Sequence, residues 1–334
     1  MSKTDPVRIG VLGAAPIVNM ALVTPAGVIP GVAVVAVAAR ELPRAQKFGA
    51  RFDIPKAYGS YPELLADAEI DAVYIPLPPS LHGTWATAAL DAGKHVLIEK
   101  PFTANGDDAA ALVARAEKSG LVVMEAFHSV FHPLIDDLRQ ILASGIIGTP
   151  LTAYGVFSIP IPPGKSTRWD VSLGGGALMD VGCYPIRMFQ SVFGSTPEVL
   201  EATALDSGGI DRAMSATLQF PDGPRATIKA SIWSAAFELP RLTITGTEGS
   251  LSVSSPYHPQ FGSTIRIRSR SGKTKQRVSK ASTYTLQLEA FRDAIQNGTP
   301  LKSGLQDSLA MMRIIDAIYR KAGMQPRQLL APSL

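Results

Sequence analysis

Cysteine is almost absent from this 334-residue chain, and the one present, Cys183, excludes both an internal disulfide and a thiolate metal cluster. A lone thiol also fits a reducing compartment. Charge is sparse and nearly balanced: 32 Lys and Arg against 28 Asp and Glu leave +4, too small an excess to argue for nucleic acid, although it suits an anionic small molecule. No stretch approaches the roughly 20 uninterrupted apolar residues of a membrane span. Met1 to Pro6 lack a basic region, a long apolar run and a cleavage site, so the expectation is a soluble, cytoplasmic protein without a secretion signal. Repeats and low-complexity tails are absent too. What is present is apolar matter, 46% of the residues, enough for packed cores, and a length that fits two domains.

The first part alternates short apolar runs (Val7 to Leu12, Val32 to Ala38, Ala72 to Ile75, Val96 to Ile98, Leu121 to Met124) with alanine-rich helical segments. Those segments are Arg44 to Phe52, Tyr61 to Leu65, Thr84 to Ala92 and Asp107 to Ser119. Near-continuous apolar strands between amphipathic helices predict a parallel sheet covered on both faces, a Rossmann-type doubly wound fold. Further on, Leu151 to Ile159, Glu198 to Leu205, Ala213 to Phe220, Arg225 to Ile232 and Arg241 to Thr245 alternate inward and outward residues. Tight turns at Pro221-Asp222-Gly223-Pro224 and Gly246-Thr247-Glu248-Gly249 join them, which predicts an α+β domain with a large, mostly antiparallel open sheet. Helices are expected at Leu178 to Phe193, Leu286 to Asn297 and Asp307 to Lys321. The reading divides the chain into 1–126 and 127–334, with the C-terminal helix packing back on the first domain.

A glycine after the first strand lets the backbone turn tightly and approach a pyrophosphate at the next helix. Here the segment is Gly10-Val11-Leu12-Gly13-Ala14-Ala15, in which Leu12 and Ala15 stand where a strict G-x-G-x-x-G has glycines. The end of the second strand distinguishes two nicotinamide cofactors: an acid there binds ribose hydroxyls of NAD, a base the 2′-phosphate of NADP. Ala39-Arg40-Glu41, with Arg44 following, favours NADP through Arg40, while Glu41 keeps NAD open. Pro76 and Leu77 end the fourth strand, and His82 on the loop that follows is expected to border the nicotinamide.

Lys100, in Glu99-Lys100-Pro101, sits at the carboxyl end of a parallel strand, where open α/β sheets place ligands, and Pro101 restricts it to extended backbone. Some eighty residues later Gly174-Gly175-Gly176-Ala177-Leu178-Met179-Asp180 leads to Tyr184. Asp180 and Tyr184 are four apart and share a helical face, and the glycines are read as permitting close approach to a ligand. A tyrosine needs a nearby cation to exchange protons near neutrality, which Lys100 can supply. The competing reading has Asp180 capping the helix and Tyr184 packed in the core. His128 and His132, an i, i+4 pair, lack an evident third ligand, so no metal is expected; His128 and Trp169 are instead taken as substrate contacts. Ile159 to Gly164 is read as a proline-rich rim. The basic run Ile265 to Lys275 is read as an exposed hairpin with its charges in water, since no aromatic residues are interleaved to stack bases.

These residues resemble the glucose-fructose oxidoreductase / inositol dehydrogenase (Gfo/Idh/MocA) family over nearly the whole chain. The resemblance rests on the glycine turn, Glu99-Lys100-Pro101, the Gly-Gly-Gly-Ala-Leu-Met-Asp segment, Gly246-Thr247-Glu248-Gly249 and Leu288-Glu289-Ala290-Phe291. Asp180-x-Gly182-x-Tyr184-Pro185 and Met124-Glu125-Ala126 are similar to the dimeric dihydrodiol dehydrogenase and NADP-linked D-xylose dehydrogenase branch. The resemblance implies Lys100, Asp180 and Tyr184 as the catalytic set, with Tyr184 handling the proton. It also implies NADP lying across the first domain, with Glu99 and Lys100 beside it, and a homodimer or higher homo-oligomer through the second domain's sheet. Where that branch carries Trp and Arg, this chain has His128 and Val130, so neither xylose nor a dihydrodiol is taken as its substrate. Open alternatives are His128 as the acid/base, and a non-catalytic cofactor sensor.

Overall fold

The computed structural model describes residues 5–235 and 237–330; Met1 to Thr4, part of the stretch read for a leader, lie outside them. The chain forms two compact units. In the first, β1 (Val7–Leu12), β2 (Val32–Ala38), β3 (Lys56–Tyr58), β4 (Ala72–Ile75), β5 (His95–Glu99) and β6 (Val123–Ala126) are all parallel, in the order β3-β2-β1-β4-β5-β6. Crossovers run through α1 (Thr24–Ala26), which ends a helical segment with a wider, π-type turn at Asn19–Val23, then α2 (Leu42–Arg51), α3 (Tyr61–Leu65), α4 (His82–Asp91) and α5 (Gly106–Ser119). Every residue of β4 and of β6 is buried, as expected of strands covered on both faces. The strand order reverses between β1 and β4, which puts the ligand crevice of such a sheet outside their carboxyl ends.

The second unit is built on an eight-stranded sheet in the order β14-β13-β12-β11-β7-β10-β9-β8. It comprises β7 (Pro150–Ser158), β8 (Glu198–Ser207), β9 (Ile210–Gln219), β10 (Arg225–Ser231), β11 (Arg241–Gly246), β12 (Gly249–Ser254), β13 (Thr264–Ser269) and β14 (Gly272–Arg277). Only β7 and β10 pair in parallel. Met214, Ala216 and Leu218 of β9 are buried while Ser215, Thr217 and Gln219 between them stay half-exposed, the period-2 pattern of a sheet with one covered face. Helices α6 (Leu134–Ala143) and α7 (Cys183–Phe193) pack in this unit. Helix α7 lies close on β7 because Gly155 has no side chain: a Cβ there would sit 2.8 Å from Pro185 Cβ and 3.0 Å from Phe189.

The single division at 126/127 does not describe the units. Among the described residues, 284–309 and 329–330 belong to the first unit, and 129–283 with 310–328 to the second. Helix α8 (Thr283–Asn297) is tied to the first unit by Arg292 Nη1 to Pro30 O at 3.0 Å and Gln296 Nε2 to Asp5 O at 2.9 Å. In α9 (Leu305–Lys321), Ser308 Oγ donates to the buried Glu125 carboxylate at 2.7 Å. The expected basic hairpin is β13–β14, with Ile265 and Ile267 turned inward and Arg266 and Arg268 outward. Sequence reading passed over β3, β12, α6 and the first helix. β3 is three residues long, and in helix 17–26 Pro25 and a run of apolar residues hide any amphipathic stripe. Among the described residues, no helix is long and apolar enough to cross a membrane.

Candidate active site

The crevice residues of the first unit come together around Gly13. Its φ of +122° is a region that favours glycine, and a Cβ would lie 2.9 Å from Leu77 Cδ2, so the loops after β1 and β4 touch only because position 13 is bare. Arg44, on α2, reaches back across this turn, its Nη2 donating to Ala14 O at 3.3 Å. Arg40, exposed beyond β2, makes no ion pair among the described residues. Burial raises the phenol of Tyr61, at the start of α3, above the usual tyrosine range, and the positive charge of Arg40 and Arg44 opposes that rise. Tyr61 is braced edge-on by Trp85, ring centroids 4.7 Å apart. A bare turn beside two arginines that have no carboxylate partner among the described residues suits a diphosphate carrying an extra phosphate. Glu41 is exposed and extended, with no hydrogen bond from its side chain to α2.

Two expectations in this unit change. Gly10 lies within β1, where a Cβ would meet Leu64 at 2.8 Å and Ile70 at 3.1 Å, so its smallness serves helix–strand packing and not approach to a pyrophosphate. His82 is fully buried, with Nε2 2.7 Å from Leu77 O and Nδ1 2.9 Å from Pro101 O. It therefore packs between the loop after β4 and the turn after β5, in place of the expected border on the nicotinamide. Burial, with Lys100 nearby, pushes its pKa down to about 4. Glu99 accepts from the Tyr74 hydroxyl at 2.5 Å and from the Lys100 backbone N–H at 3.2 Å. Its carboxyl is raised above the usual range by desolvation although the residue keeps partial exposure. Lys100 thus leaves the strand end with its backbone tied to a carboxylate that is itself held from β4. Pro76 is buried and Leu77 half-exposed at the same crevice. His128 is buried against Tyr284, ring centroids 4.3 Å apart. His132 is assigned to the other unit, and its Nδ1 accepts the Leu134 N–H at 3.1 Å.

In the second unit Asp180 lies on a π-type turn, Leu178–Gly182, that runs straight into α7, with Tyr184 one residue inside it. The wider turn still returns position i+4 to nearly the same face, and such turns recur at functional sites. Asp180 does not cap this helix; its carboxylate accepts from Arg168 Nε at 2.5 Å. Tyr184 is 5% exposed and sits in a ring cluster with Phe157 at 5.2 Å, Tyr257 at 5.7 Å and His258 at 5.8 Å between centroids. Tyr257 is fully buried, which raises its phenol well above the ordinary value, so it stays protonated. Trp169 is half-exposed on the loop after β7, its indole N–H donating to Ile161 O at 3.2 Å, which folds the proline-rich stretch onto the Arg168–Trp169 turn.

Gly175 and Gly176 of the triple glycine are bare where the protein's own atoms close in. A Cβ at Gly175 would stand 2.6 Å from Arg168 O, and one at Gly176 2.0 Å from Asp211 Oδ1. Sequence reasoning passed over Tyr61, Phe157, Arg168, Tyr257 and His258. Only the last two carried a local signal, an aromatic pair between prolines in Pro256-Tyr257-His258-Pro259.

Comparison with known proteins accords with this geometry. A model described as an oxidoreductase family with an NAD-binding Rossmann fold matches residues 7–127, and one described as the GFO/IDH/MocA C-terminal domain matches 135–252. An uncharacterised oxidoreductase of Rhizobium meliloti is 40% identical, with 95% of this chain and 97% of that one covered. D-xylose 1-dehydrogenase (NADP+) 2 of Haloferax volcanii is 36% identical over 86% of this chain and 89% of its own. Mouse trans-1,2-dihydrobenzene-1,2-diol dehydrogenase is 37% identical over 68% of each. Among solved structures, a 3-ketoreductase from Actinomadura kijaniata in complex with NADP and TDP-benzene superposes with a TM-score of 0.88 at 29% identity, covering 96% of this chain and 98% of that one.

Proposed function

The chain belongs to the Gfo/Idh/MocA oxidoreductase family, and from that premise we propose that it is an NADP-linked dehydrogenase or reductase of a sugar, polyol or cyclic diol. The observation that carries the reading is the pair Arg40 and Arg44, without carboxylate partners among the described residues, beside the bare turn at Gly13. When bound, NADP supplies or accepts the hydride at a carbinol or carbonyl carbon. Arg40 and Arg44 hold its 2′-phosphate, and the Gly13-Ala14-Ala15 turn gives its pyrophosphate close backbone approach. Tyr184 exchanges the hydroxyl proton of the substrate, Lys100 favours its phenolate by charge, and Asp180 aligns the exchange. The rings around Tyr184 offer an apolar wall to a sugar or diol ring, with Trp169 and His128 as further substrate contacts.

The reading extends to the cytoplasm, where buried Cys183 stays reduced, and to a homodimer or higher homo-oligomer. The oligomer would form through the open face of the β7–β14 sheet, where Tyr154, Lys229, Glu238 and Arg241 cluster; sedimentation reads its mass.

A fluorescence titration with NADPH and NADH, repeated on Arg40→Ala, tests the cofactor assignment. Much tighter NADPH binding, lost in the variant, is expected; equal or tighter NADH binding refutes the assignment to Arg40. Turnover of a carbohydrate and diol panel, compared with Tyr184→Phe, tests the chemistry. Tight NADPH binding with no turnover on any member is the result a non-catalytic cofactor sensor would give.

A further inference from the structure

A buried ion pair outside the residues so far assigned holds the start of the π-type turn. Asp211, fully buried near the start of β9, accepts from the backbone N–H of Leu178 at 2.7 Å through Oδ2. Its Oδ1 accepts from Arg327 Nη2 at 2.6 Å and from the Tyr319 hydroxyl at 2.9 Å. Arg327, 3% exposed on the segment after α9, also donates from Nε to Gly175 O at 2.7 Å and from Nη1 to Gly209 O at 3.0 Å. Its guanidinium lies over the Tyr319 ring, 4.4 Å from the centroid. Gly176 is bare because Asp211 and Arg327 occupy the space of its Cβ, and its carbonyl accepts the Asp180 N–H at 3.0 Å.

A buried ion pair is a poor source of stability, because desolvating both charges offsets their attraction; apolar residues of the same volume serve as well or better. Burial indeed pushes the Asp211 carboxyl up to about 6 even with Arg327 beside it. What the pair supplies is direction. The carboxylate satisfies an N–H at the helix start, and the planar guanidinium fixes a carbonyl three residues before it. Both anchors act on the short segment that leads into Asp180 and Tyr184.

We infer that Asp211 and Arg327 are positioning residues for proton transfer, holding the 175–184 segment so that Asp180 and Tyr184 keep one orientation. The inference rests on the reading that Tyr184 exchanges the substrate proton. It concerns contacts made entirely within the second unit.

The test uses full-length protein labelled with ¹³Cζ-tyrosine, in wild type, Asp211→Asn, Arg327→Lys and the neutral double variant Asp211→Asn/Arg327→Gln. The double variant leaves no unpaired buried charge and keeps the protein foldable where a single change does not. The Tyr184 resonance is identified by its loss in Tyr184→Phe, and the Tyr74 resonance of the first unit serves as reference. In the double variant the Tyr184 line is expected to move or split and its pH titration to shift, while Tyr74 and the NADPH dissociation constant stay unchanged. With NADP and the same carbohydrate and diol panel as the turnover probe, kcat on each member that wild type turns over is expected to fall about tenfold or more with little change in KM, the cost of a misplaced group. A folded double variant whose Tyr184 line and titration match wild type overturns the inference. So does activity that falls only with the folded fraction while the pH profile stays fixed. Tyr184→Phe with wild-type kcat refutes the proton-transfer reading, whatever the ion pair does.

Discussion

His82 offers the sharpest quantitative test, because its burial has a measurable acid signature. The folded-state pKa near 4 lies below the ordinary 6.5, so the imidazole is neutral in the native state at neutral pH. Between those values the unfolded chain binds more protons than the folded one, and stability rises with pH. The contribution is fully present above about pH 6.5 and is lost as pH falls towards 4. At about 1.36 kcal/mol per pKa unit, the gap between 6.5 and about 4 is worth about 3 kcal/mol. Asp211, Glu99, His95 and His132 are shifted as well, so the informative quantity is the difference between wild type and His82→Gln at each pH. Urea unfolding followed by Trp85 fluorescence, in a background with Trp169 and Trp233 replaced by phenylalanine, reports on the helix that carries His82. The advantage of wild type over the variant is expected to shrink by about 3 kcal/mol from pH 7 to pH 4. The opposing possibility is physical: two carbonyl oxygens flank the ring, and an imidazolium donating to both would keep its pKa at or above 6.5. A difference that stays constant or grows on acidification would refute the neutral, desolvated histidine.

Three further outcomes are expected. Arg40→Ala should weaken NADPH binding by about 10- to 100-fold, the worth of a charge-assisted hydrogen bond, and leave NADH unchanged in the same titration. Gly13→Val should abolish binding of both cofactors without unfolding the second unit, since its side chain would enter the space of Leu77 at a φ of +122°; calorimetric titration with circular dichroism as the fold control reads this. Ser308→Ala removes the hydroxyl that donates to the buried Glu125 carboxylate and should lower stability by about 1–3 kcal/mol in urea unfolding.

Local pattern revealed much of this molecule. The apolar runs of β1, β2 and β4 and the alternation of β9 and β10 are periodicities of a few residues, so strand identity and sheet type were legible without any contact map. That Gly13, Arg40, Arg44 and Lys100 lie at or just beyond strand ends was legible because the strands themselves were, so position along the chain implied position in the sheet. The neighbours of those residues were not. Tyr61 sits beside Arg40 and Arg44 only because α3 folds across the β1 turn, and Arg168 meets Asp180 only through the path of the loop after β7.

Periodicity thus determined the class of fold, and short motifs with the family they resemble the kind of chemistry to look for, since each is encoded within a turn or a strand. Tertiary structure alone decided what each glycine and histidine is for. Gly10 packs beneath Leu64, Gly176 makes room for Asp211, and His82 sits between two backbone carbonyls. Arg327 reaches Gly175 across 152 positions of sequence. What fills the space beside a residue is set by whichever distant segment the fold brings there, and no local pattern carries that information.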